Sequence, residues 1–317
     1  MNESLSAKAT SMLTDVLAGL SGAKKSIPPM YFYDEEGSRI FDEITQLDEY
    51  YPTRTEAAIM QQHGADIGRT LGDDVLLIEY GSGSSVKTRI LLNEMHKLSG
   101  YVPIDISAQY LQQVASGLQA EYPQVRIHPV AADFTQAFEL PFARTAKQRR
   151  VVYFPGSTIG NFTSVDSIRI LREMGQLFGD DGGALIGVDL VKSRNILVAA
   201  YNDAKQVTAR FNLNLLQRMN REIDADFDVD QFRHQAIFDE HESRIEMHLH
   251  ALQEMDVHIA DNTFHFSEGE SILTEYSHKY TLESFAQLAD QAQLQVSQVW
   301  TDIDSLFSVQ YLTKGTR

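Results

Sequence analysis

Residues 75 to 85, Val-Leu-Leu-Ile-Glu-Tyr-Gly-Ser-Gly-Ser-Ser, constrain the fold more than any other stretch of the chain. Val75 to Ile78 give a short buried strand, Glu79 stands at its exit, and Gly81 and Gly83 supply a turn whose backbone can approach a ligand closely. Ser84 or Ser85 can cap a following helix, because Val86, Ile90, Leu91 and Met95 fall at helical spacing. Strand, glycine turn and helix together open a nucleotide-binding βαβ unit.

A dinucleotide fingerprint would place a third glycine at position 86, where the chain has valine, so a ligand without a pyrophosphate is favoured. An ordinary tight βα turn also fits this segment alone. The stretch is similar to the first turn of class I S-adenosylmethionine-dependent methyltransferases, with Glu79 as the acidic residue. The later strands decide between these readings.

At 317 residues the chain can bury a substantial core in one large domain or two smaller ones. With 27 basic against 44 acidic residues, the net charge is −17, and the only basic pairs noted are Lys24-Lys25 and Arg149-Arg150. Phosphate backbones require a basic surface, so a nucleic-acid partner is not expected. Cysteine is absent, which removes disulfides, thiolate metal sites and a cysteine nucleophile. No segment reaches the ~20 apolar residues of a membrane span, and the N-terminus lacks a basic stretch leading into an apolar run. A cytoplasmic enzyme acting on a small molecule is the expectation.

Met12, Leu13, Val16, Leu17 and Leu20 predict an amphipathic helix, broken by Ser21 to Ser26 and by Pro28-Pro29. An aromatic segment follows, from Met30-Tyr31-Phe32-Tyr33-Asp34 to Glu49-Tyr50-Tyr51-Pro52, and its tyrosines suit either core packing or a pocket lining. Thr53 with Glu56 fits a capping box at the head of the next helix. Beyond residue 75, strands and helices alternate. The second strand, Gly100 to Asp105, ends in a carboxylate 24 positions after Gly81, near the spacing at which an acid meets ribose hydroxyls. Pro103 argues for an edge or irregular strand. Arg126 to Val130 reads as the third strand, followed by Asp133 and Phe134, a carboxylate for an adenine amino group and a ring for the base; a turn or cap role also fits Asp133. The fourth strand, Val151 to Phe154, runs into Pro155-Gly156-Ser157-Thr158-Ile159-Gly160-Asn161-Phe162. Ligands bind at the carboxyl ends of such strands, and the Asn161 amide can hold a carboxylate or an amine. Ala184 to Leu190 is the fifth, and all five fit one parallel sheet.

The rhythm then stops. A long helical stretch from Ala199 to Met219, carrying Tyr201 near its start, leads to Asp224-Ala225-Asp226-Phe227-Asp228-Val229-Asp230. This is no calcium loop, since Val229 and Gln235 stand where glycine and a bidentate glutamate are required; helix-capping acids on a solvated loop are expected instead. Arg244 to Leu252 alternates as a half-buried antiparallel strand, with Met247 on its apolar face and His248 and His250 on the other. With His241, His258 and His265 nearby a metal site is conceivable, but imidazoles on a strand's polar face are ordinarily solvated and spacing fixes no carboxylate partner; no metal is expected. Further strands over 257–260, 263–266 and 272–280, a helix capped by Thr281, and a closing hairpin of Gln295 to Trp300 with Leu306 to Leu312 complete the chain. The pattern is an α/β, Rossmann-like doubly wound sheet with an antiparallel last hairpin, plus a second α+β domain. Residues 202 to 280 read as an insertion between the fifth strand and this closing pair.

Several blocks carry a more specific resemblance: Tyr31-Phe32-Tyr33-Asp34, Gly37-Ser38, Phe41-Asp42, Glu49 to Glu56, Gly156 to Phe162, Asp189 to Lys192, and Leu273-Thr274-Glu275-Tyr276-Ser277. From about residue 27 onward the chain resembles the L-histidine Nα-methyltransferases of ergothioneine biosynthesis. The resemblance implies three successive methyl transfers from S-adenosylmethionine to the α-amino group of histidine, giving hercynine and S-adenosylhomocysteine, and a division into a cofactor-binding core of 60–198 with 281–317 and a substrate domain of 1–59 with 199–280; a monomer without a metal is expected. It implies cofactor contacts at Gly81, Lys87, Asp105, Asp133, Phe134 and Gly156. For the substrate it implies that Asn161 and Tyr201 hold the carboxylate and that Tyr33 and Tyr50 surround the amine as the catalytic pair. Glu275 and Ser277 would hold the imidazole, with Phe41 and Met247 also lining the substrate.

These types suit the task, because an imidazole presents a donor and an acceptor, or two donors, and a carboxylate beside a hydroxyl satisfies both nitrogens. Taken alone, Glu275 reads as a surface residue on an edge strand. The chain departs from the expected cofactor turn at Tyr80, where a small aliphatic residue is usual, and at Ser85. Two other methyltransferase-fold readings remain, an enzyme acting on another amino acid or amine and a noncatalytic cofactor or amino-acid binder; a nicotinamide-dependent dehydrogenase is weakened by Val86.

Overall fold

The computed structural model describes residues 7–83, 86–95, 97–136, 138–140 and 148–315. In chain order the elements are α1 (Ala7–Leu20), α2 (Glu35–Ile44), α3 (Tyr51–Leu71), β1 (Val75–Tyr80), α4 (Val86–Glu94), β2 (Leu98–Asp105), α5 (Ala108–Glu121), β3 (Val130–Ala131), β4 (Arg149–Phe154), α6 (Ser164–Phe178) and β5 (Gly183–Asp189). Then come α7 (Arg194–Tyr201), α8 (Val207–Glu222), β6 (Phe232–Asp239), β7 (Arg244–Ala251), β8 (Met255–Ile259), β9 (Asn262–Phe266), β10 (Ser271–His278), α9 (Leu282–Gln291), β11 (Leu294–Thr301) and β12 (Phe307–Lys314). The expected caps at Ser84 and Ser85, and the departure at Ser85, lie outside the described residues.

The chain divides into two compact units, Tyr51–Lys192 with His278–Arg317, and Met1–Tyr50 with Ser193–Ser277. The larger unit is a seven-stranded sheet in the order β11-β12-β5-β4-β1-β2-β3. β1 to β5 run parallel, and β12 joins β5 antiparallel with Phe307 opposite Asp189. This is the class I methyltransferase topology, with the sheet's reversed last hairpin as its signature. Every residue of β1 and β5 is buried, as strands covered on both faces must be. One apolar layer joins Ile78, Phe154 and Ile186 to Ile170 and Met174 of α6 and Phe285 of α9; the other joins Leu77, Tyr153 and Val309 to Ile59 and Ile67 of α3.

The smaller unit is built around α8 and the three-stranded sheet β10-β7-β6, with β8 and β9 as a separate hairpin. Burial alternates strictly along β7, as the sequence pattern requires. The chain before α2 is stitched to β10, where Ile27 N–H donates to the Leu273 carbonyl and Leu273 N–H to that of Lys25, each at 2.9 Å. Asp34 caps α2 by accepting from Gly37 N–H at 2.7 Å.

Four local expectations are corrected. Thr53 and Glu56 form no capping box, because α3 already begins at Tyr51 and the Glu56 carboxylate is drawn into tertiary contacts. The third strand is only Val130–Ala131, with an isolated bridge from Ile127 to Tyr101. Pro103 lies within an inner strand: Tyr101 N–H donates outward to Arg126, so by alternation the donor that Pro103 lacks faces the short, irregular outer neighbour. The long helix breaks into α7 and α8, since Asp203 accepts from Val207 N–H (2.9 Å) and Thr208 N–H (2.8 Å) and starts a new helix after Gln206 at φ +57°. The Thr281 cap forms, as a reciprocal box with Ser284.

The division between units differs from 59/60, 198/199 and 280/281. Tyr51 bonds Asp189 and Glu56 bonds Gly156, which holds the first turns of α3 to the large sheet. The α7 helix packs on β6 and β7, and His278 Nδ1 lies 2.8 Å from the Gly160 carbonyl oxygen.

Candidate active site

In the larger unit the glycine turn closes the end of β1. Gly81 N–H donates to the Ile104 carbonyl at 2.9 Å, and Gly81 and Gly83 both take left-handed backbone conformations, φ +68° and +47°. A methyl on Gly83 would meet nothing within 4 Å and one on Gly81 would approach only Phe134 at 3.8 Å, so the turn faces open space bordered by that ring. Asp105, at the end of β2, accepts from Gly83 N–H (3.3 Å) and Ser107 N–H (2.9 Å). Burial nevertheless raises its carboxyl above the ordinary value, with those backbone donors opposing the shift. The Phe134 ring stacks on Tyr80 with centroids 5.1 Å apart and meets Phe154 edge-on at 5.3 Å. The unusual Tyr80 is therefore a platform beneath Phe134. Asp133 accepts from Thr135 N–H (2.8 Å) and from its hydroxyl (2.7 Å), so its turn role is realised whatever else it holds.

Glu79 is not a ligand group. It is buried within the sheet, accepts from the Thr88 hydroxyl at 2.7 Å and from the Tyr101 phenol, and burial pushes its carboxyl up to about 7. A glycine turn open to a ligand, an acid beside it and a stacked aromatic wall suit a nucleoside carrying an uncharged base.

Lys87 pairs with Glu56, whose same oxygen accepts from Gly156 N–H at 2.9 Å. Glu56 is 0% exposed, and its other oxygen, Oε1, is buried without a hydrogen-bond partner. This carboxylate ties the helix after the glycine turn to the loop after β4, and sequence reasoning missed it. Its signal, Thr-Arg-Thr-Glu, was indistinguishable from a helix cap.

The loop Pro155 to Phe162, carrying Asn161, is fixed from two sides. Gly160 packs on His278, and Asp189 N–H donates to Ser157 Oγ at 2.9 Å. Asp189 itself lies beside Lys279 Nζ (2.7 Å), Lys192 Nζ (2.6 Å) and the Tyr51 hydroxyl (2.7 Å). Burial would raise the Asp189 carboxyl, but the two ammonium groups outweigh it and hold it low; burial pushes Lys192, the cation less deeply enclosed, down to about 8.

In the smaller unit the predicted substrate residues form a chain of contacts. Tyr33 meets Phe41 (5.7 Å between ring centroids), Phe41 meets Tyr50 (6.2 Å), and Tyr50 meets Tyr201 (6.2 Å), each edge-on. The Tyr201 hydroxyl lies 2.8 Å from Ser277 Oγ. Glu275 is half-buried on β10, two residues before Ser277 and so on the same face. Met247 is buried on β7, its carbonyl accepting from the Thr274 hydroxyl at 3.1 Å. Phe211 of α8, unremarked in the sequence, touches both Tyr33 (5.8 Å) and Phe41 (5.9 Å). The histidines read as a conceivable metal cluster disperse: His258 faces Asp226, His265 faces Asp256, and His248 lies 3.1 Å from Glu246. Among the described residues, no group of three or more His, Asp or Glu is placed to hold a metal ion.

Comparison with known proteins places the chain in a family. The family described as "Histidine-specific methyltransferase, SAM-dependent" matches residues 12–314. The histidine N-alpha-methyltransferase of Mycolicibacterium smegmatis is 42% identical over 300 residues, 93% of this chain and 92% of that protein. Its namesake in Mycobacterium tuberculosis is 42% identical over 294 residues, covering 91% and 90%. Ergothioneine biosynthesis protein 1 of Neurospora crassa is 28% identical over 200 residues, 62% of this chain and 23% of that much longer protein.

Proposed function

The chain belongs to the S-adenosylmethionine-dependent, histidine-specific methyltransferases, and from that membership we propose that it trimethylates the α-amino group of L-histidine to hercynine, opening ergothioneine biosynthesis. The observation that carries the reading is the unbroken series Tyr33, Phe41, Tyr50, Tyr201 and Ser277 in the smaller unit, which supplies hydroxyls and aromatic faces but no strong base.

When bound, S-adenosylmethionine supplies an electrophilic sulfonium methyl group. Its adenosine half suits the turn at Gly81, with Asp105 accepting from ribose hydroxyls, Asp133 from the adenine amino group and Phe134 covering the base. Lys87 and Gly156, linked through Glu56, are assigned to the amino-acid half. The protein's task is then to align an amine and exclude water, since effective alignment alone is worth several orders of magnitude in rate.

We assign the histidine carboxylate to Asn161 and Tyr201, and the imidazole to Glu275 and Ser277, with Phe41 and Met247 as apolar neighbours. Tyr33 and Tyr50 orient the amine in its neutral form through their hydroxyls, and protons released before successive transfers leave along those oxygens to water. The aromatic faces accommodate the quaternary ammonium of the product. The same reading has a monomeric, cytoplasmic enzyme that needs no metal; among the described residues no helix is long and apolar enough to cross a membrane.

The test is mass spectrometry of the purified protein incubated with S-adenosylmethionine and each common amino acid in turn. Histidine alone should gain up to three methyl groups. Methylation of another amino acid instead would overturn the imidazole assignment, and binding without turnover would overturn the reaction.

A further inference from the structure

Tyr201 is the last residue of α7, where helix carbonyls lose their intrahelical donors. The Tyr201 carbonyl oxygen lies 2.8 Å from His234 Nε2 on β6. His234 Nδ1 in turn lies 2.9 Å from the Asn212 side-chain nitrogen on α8, and that same nitrogen donates to the His248 carbonyl at 3.2 Å. These contacts fix the proton on the ring. A backbone carbonyl can only accept, so the Asn212 amide must present its NH2 to His248, and its second hydrogen then points at His234 Nδ1. Nδ1 is therefore the acceptor, Nε2 carries the hydrogen, and the imidazole donates to Tyr201. Burial lowers the His234 pKa, consistent with a ring kept neutral. One residue further on, Asn202 clamps the same helix end to the same strand: its amide donates to the Ala236 carbonyl and its oxygen accepts from Ala236 N–H, both at 2.9 Å.

We infer that His234, oriented by Asn212, is a positioning residue for histidine recognition, holding the end of α7 so that the Tyr201 phenol meets Ser277 and the Tyr50 ring. The His234 ring thus sets the placement of a phenol through the backbone carbonyl of the same residue. The inference rests on the assignment of Tyr201 to the substrate. It extends that assignment to His234 and Asn212, whose bonds run to the Tyr201 and His248 backbone carbonyls and to each other.

Two conservative variants separate the roles of the ring nitrogens. His234→Gln keeps a donor near the position of Nε2, whereas His234→Asn keeps a polar atom near Nδ1 and removes the Nε2 donor to Tyr201's carbonyl. With folding verified by thermal melting, His234→Asn should raise the KM for histidine about tenfold, the scale of one lost buried hydrogen bond. His234→Gln should stay within about threefold, and the Kd for S-adenosylmethionine should hold within about twofold in both. In a Tyr201→Phe background, His234→Asn should add little, because both changes act on one phenol. Equal histidine KM in His234→Asn and wild type, or full additivity in the double variant, overturns the positioning role. A Tyr201→Phe variant with unchanged histidine KM instead overturns the assignment of Tyr201 itself, so the two failures are distinguishable.

Discussion

Gly187 and Glu56 occupy space that only one of them can fill: a methyl on Gly187 would stand 2.3 Å from Glu56 Oε1 and 3.2 Å from the Gly156 nitrogen. The middle of a buried parallel strand is a poor place for glycine, and the reason for it is the carboxylate that arrives from α3. Gly187→Ala should destabilise the protein by about 1–3 kcal/mol through overpacking and weaken S-adenosylmethionine binding by disturbing the Lys87–Glu56–Gly156 link. Thermal melting and titration calorimetry check both effects, and adding Glu56→Ala to Gly187→Ala should recover part of the stability but none of the cofactor affinity.

Gly160 presses on His278 in the same manner, with a methyl there standing 2.8 Å from the His278 carbonyl oxygen. Backbone cannot retreat as a flexible side chain can. Gly160→Ala should displace Asn161 and raise the KM for histidine about tenfold while leaving the Kd for S-adenosylmethionine close to wild type. Steady-state kinetics with histidine as the varied substrate, alongside calorimetric titration of S-adenosylmethionine, reads the difference.

In the proposed reading, Glu275 is the residue on which imidazole recognition turns. Glu275→Ala should lower kcat/KM for histidine on the order of 100-fold, as expected for losing a hydrogen bond from a charged partner, with cofactor affinity nearly intact. Equal turnover by the variant would remove Glu275 from the site.

Glu79 makes stability depend on pH. Its folded carboxyl, pushed by burial to about 7 from an ordinary 4.5, binds its proton more tightly than in the unfolded chain. The stabilisation from the neutral acid is therefore complete below pH 4.5 and is lost as pH rises to about 7, in total roughly 3 kcal/mol. Urea unfolding of Glu79→Gln at pH 5 and pH 8 should show a variant that gains on wild type as pH increases. A constant difference would mean that Glu79 stays ionised throughout.

The sheet was legible because its strands obey a local rule. Val75 to Ile78 and Ala184 to Val188 are apolar runs bounded by glycine or acid, and the closing hairpin reverses where the spacing said it should. What escaped reading was set by distant partners. Glu56 looked like a cap because its partners, Lys87 and Gly156, lie 31 and 100 residues away. The break after Tyr201 hinges on Asp203 bonding the next helix's first amides, and nothing in the apolar spacing distinguishes that cap from an acid on a helix surface. His234 and Phe211 left no pattern at all, being single residues whose contacts are made by the fold. Among the residues proposed for the substrate, the blocks around Tyr33, Tyr50 and Glu275 carried the family resemblance as blocks, whereas each tyrosine alone read equally well as core.

The position of β12 has a consequence for the chain as it leaves the ribosome. β5, seven residues all buried in the finished sheet, is made long before Phe307–Lys314, the strand that covers its outer edge. The whole of Ser193–Ser277 is synthesised in the interval. Through that time Gly183–Asp189 offers a row of unanswered amides and carbonyls to any extended segment nearby, which is the geometry of strand-to-strand aggregation. A chain ended before Phe307 would consequently be a nucleus for insoluble assembly rather than a shortened enzyme, because the final hairpin is what closes that edge.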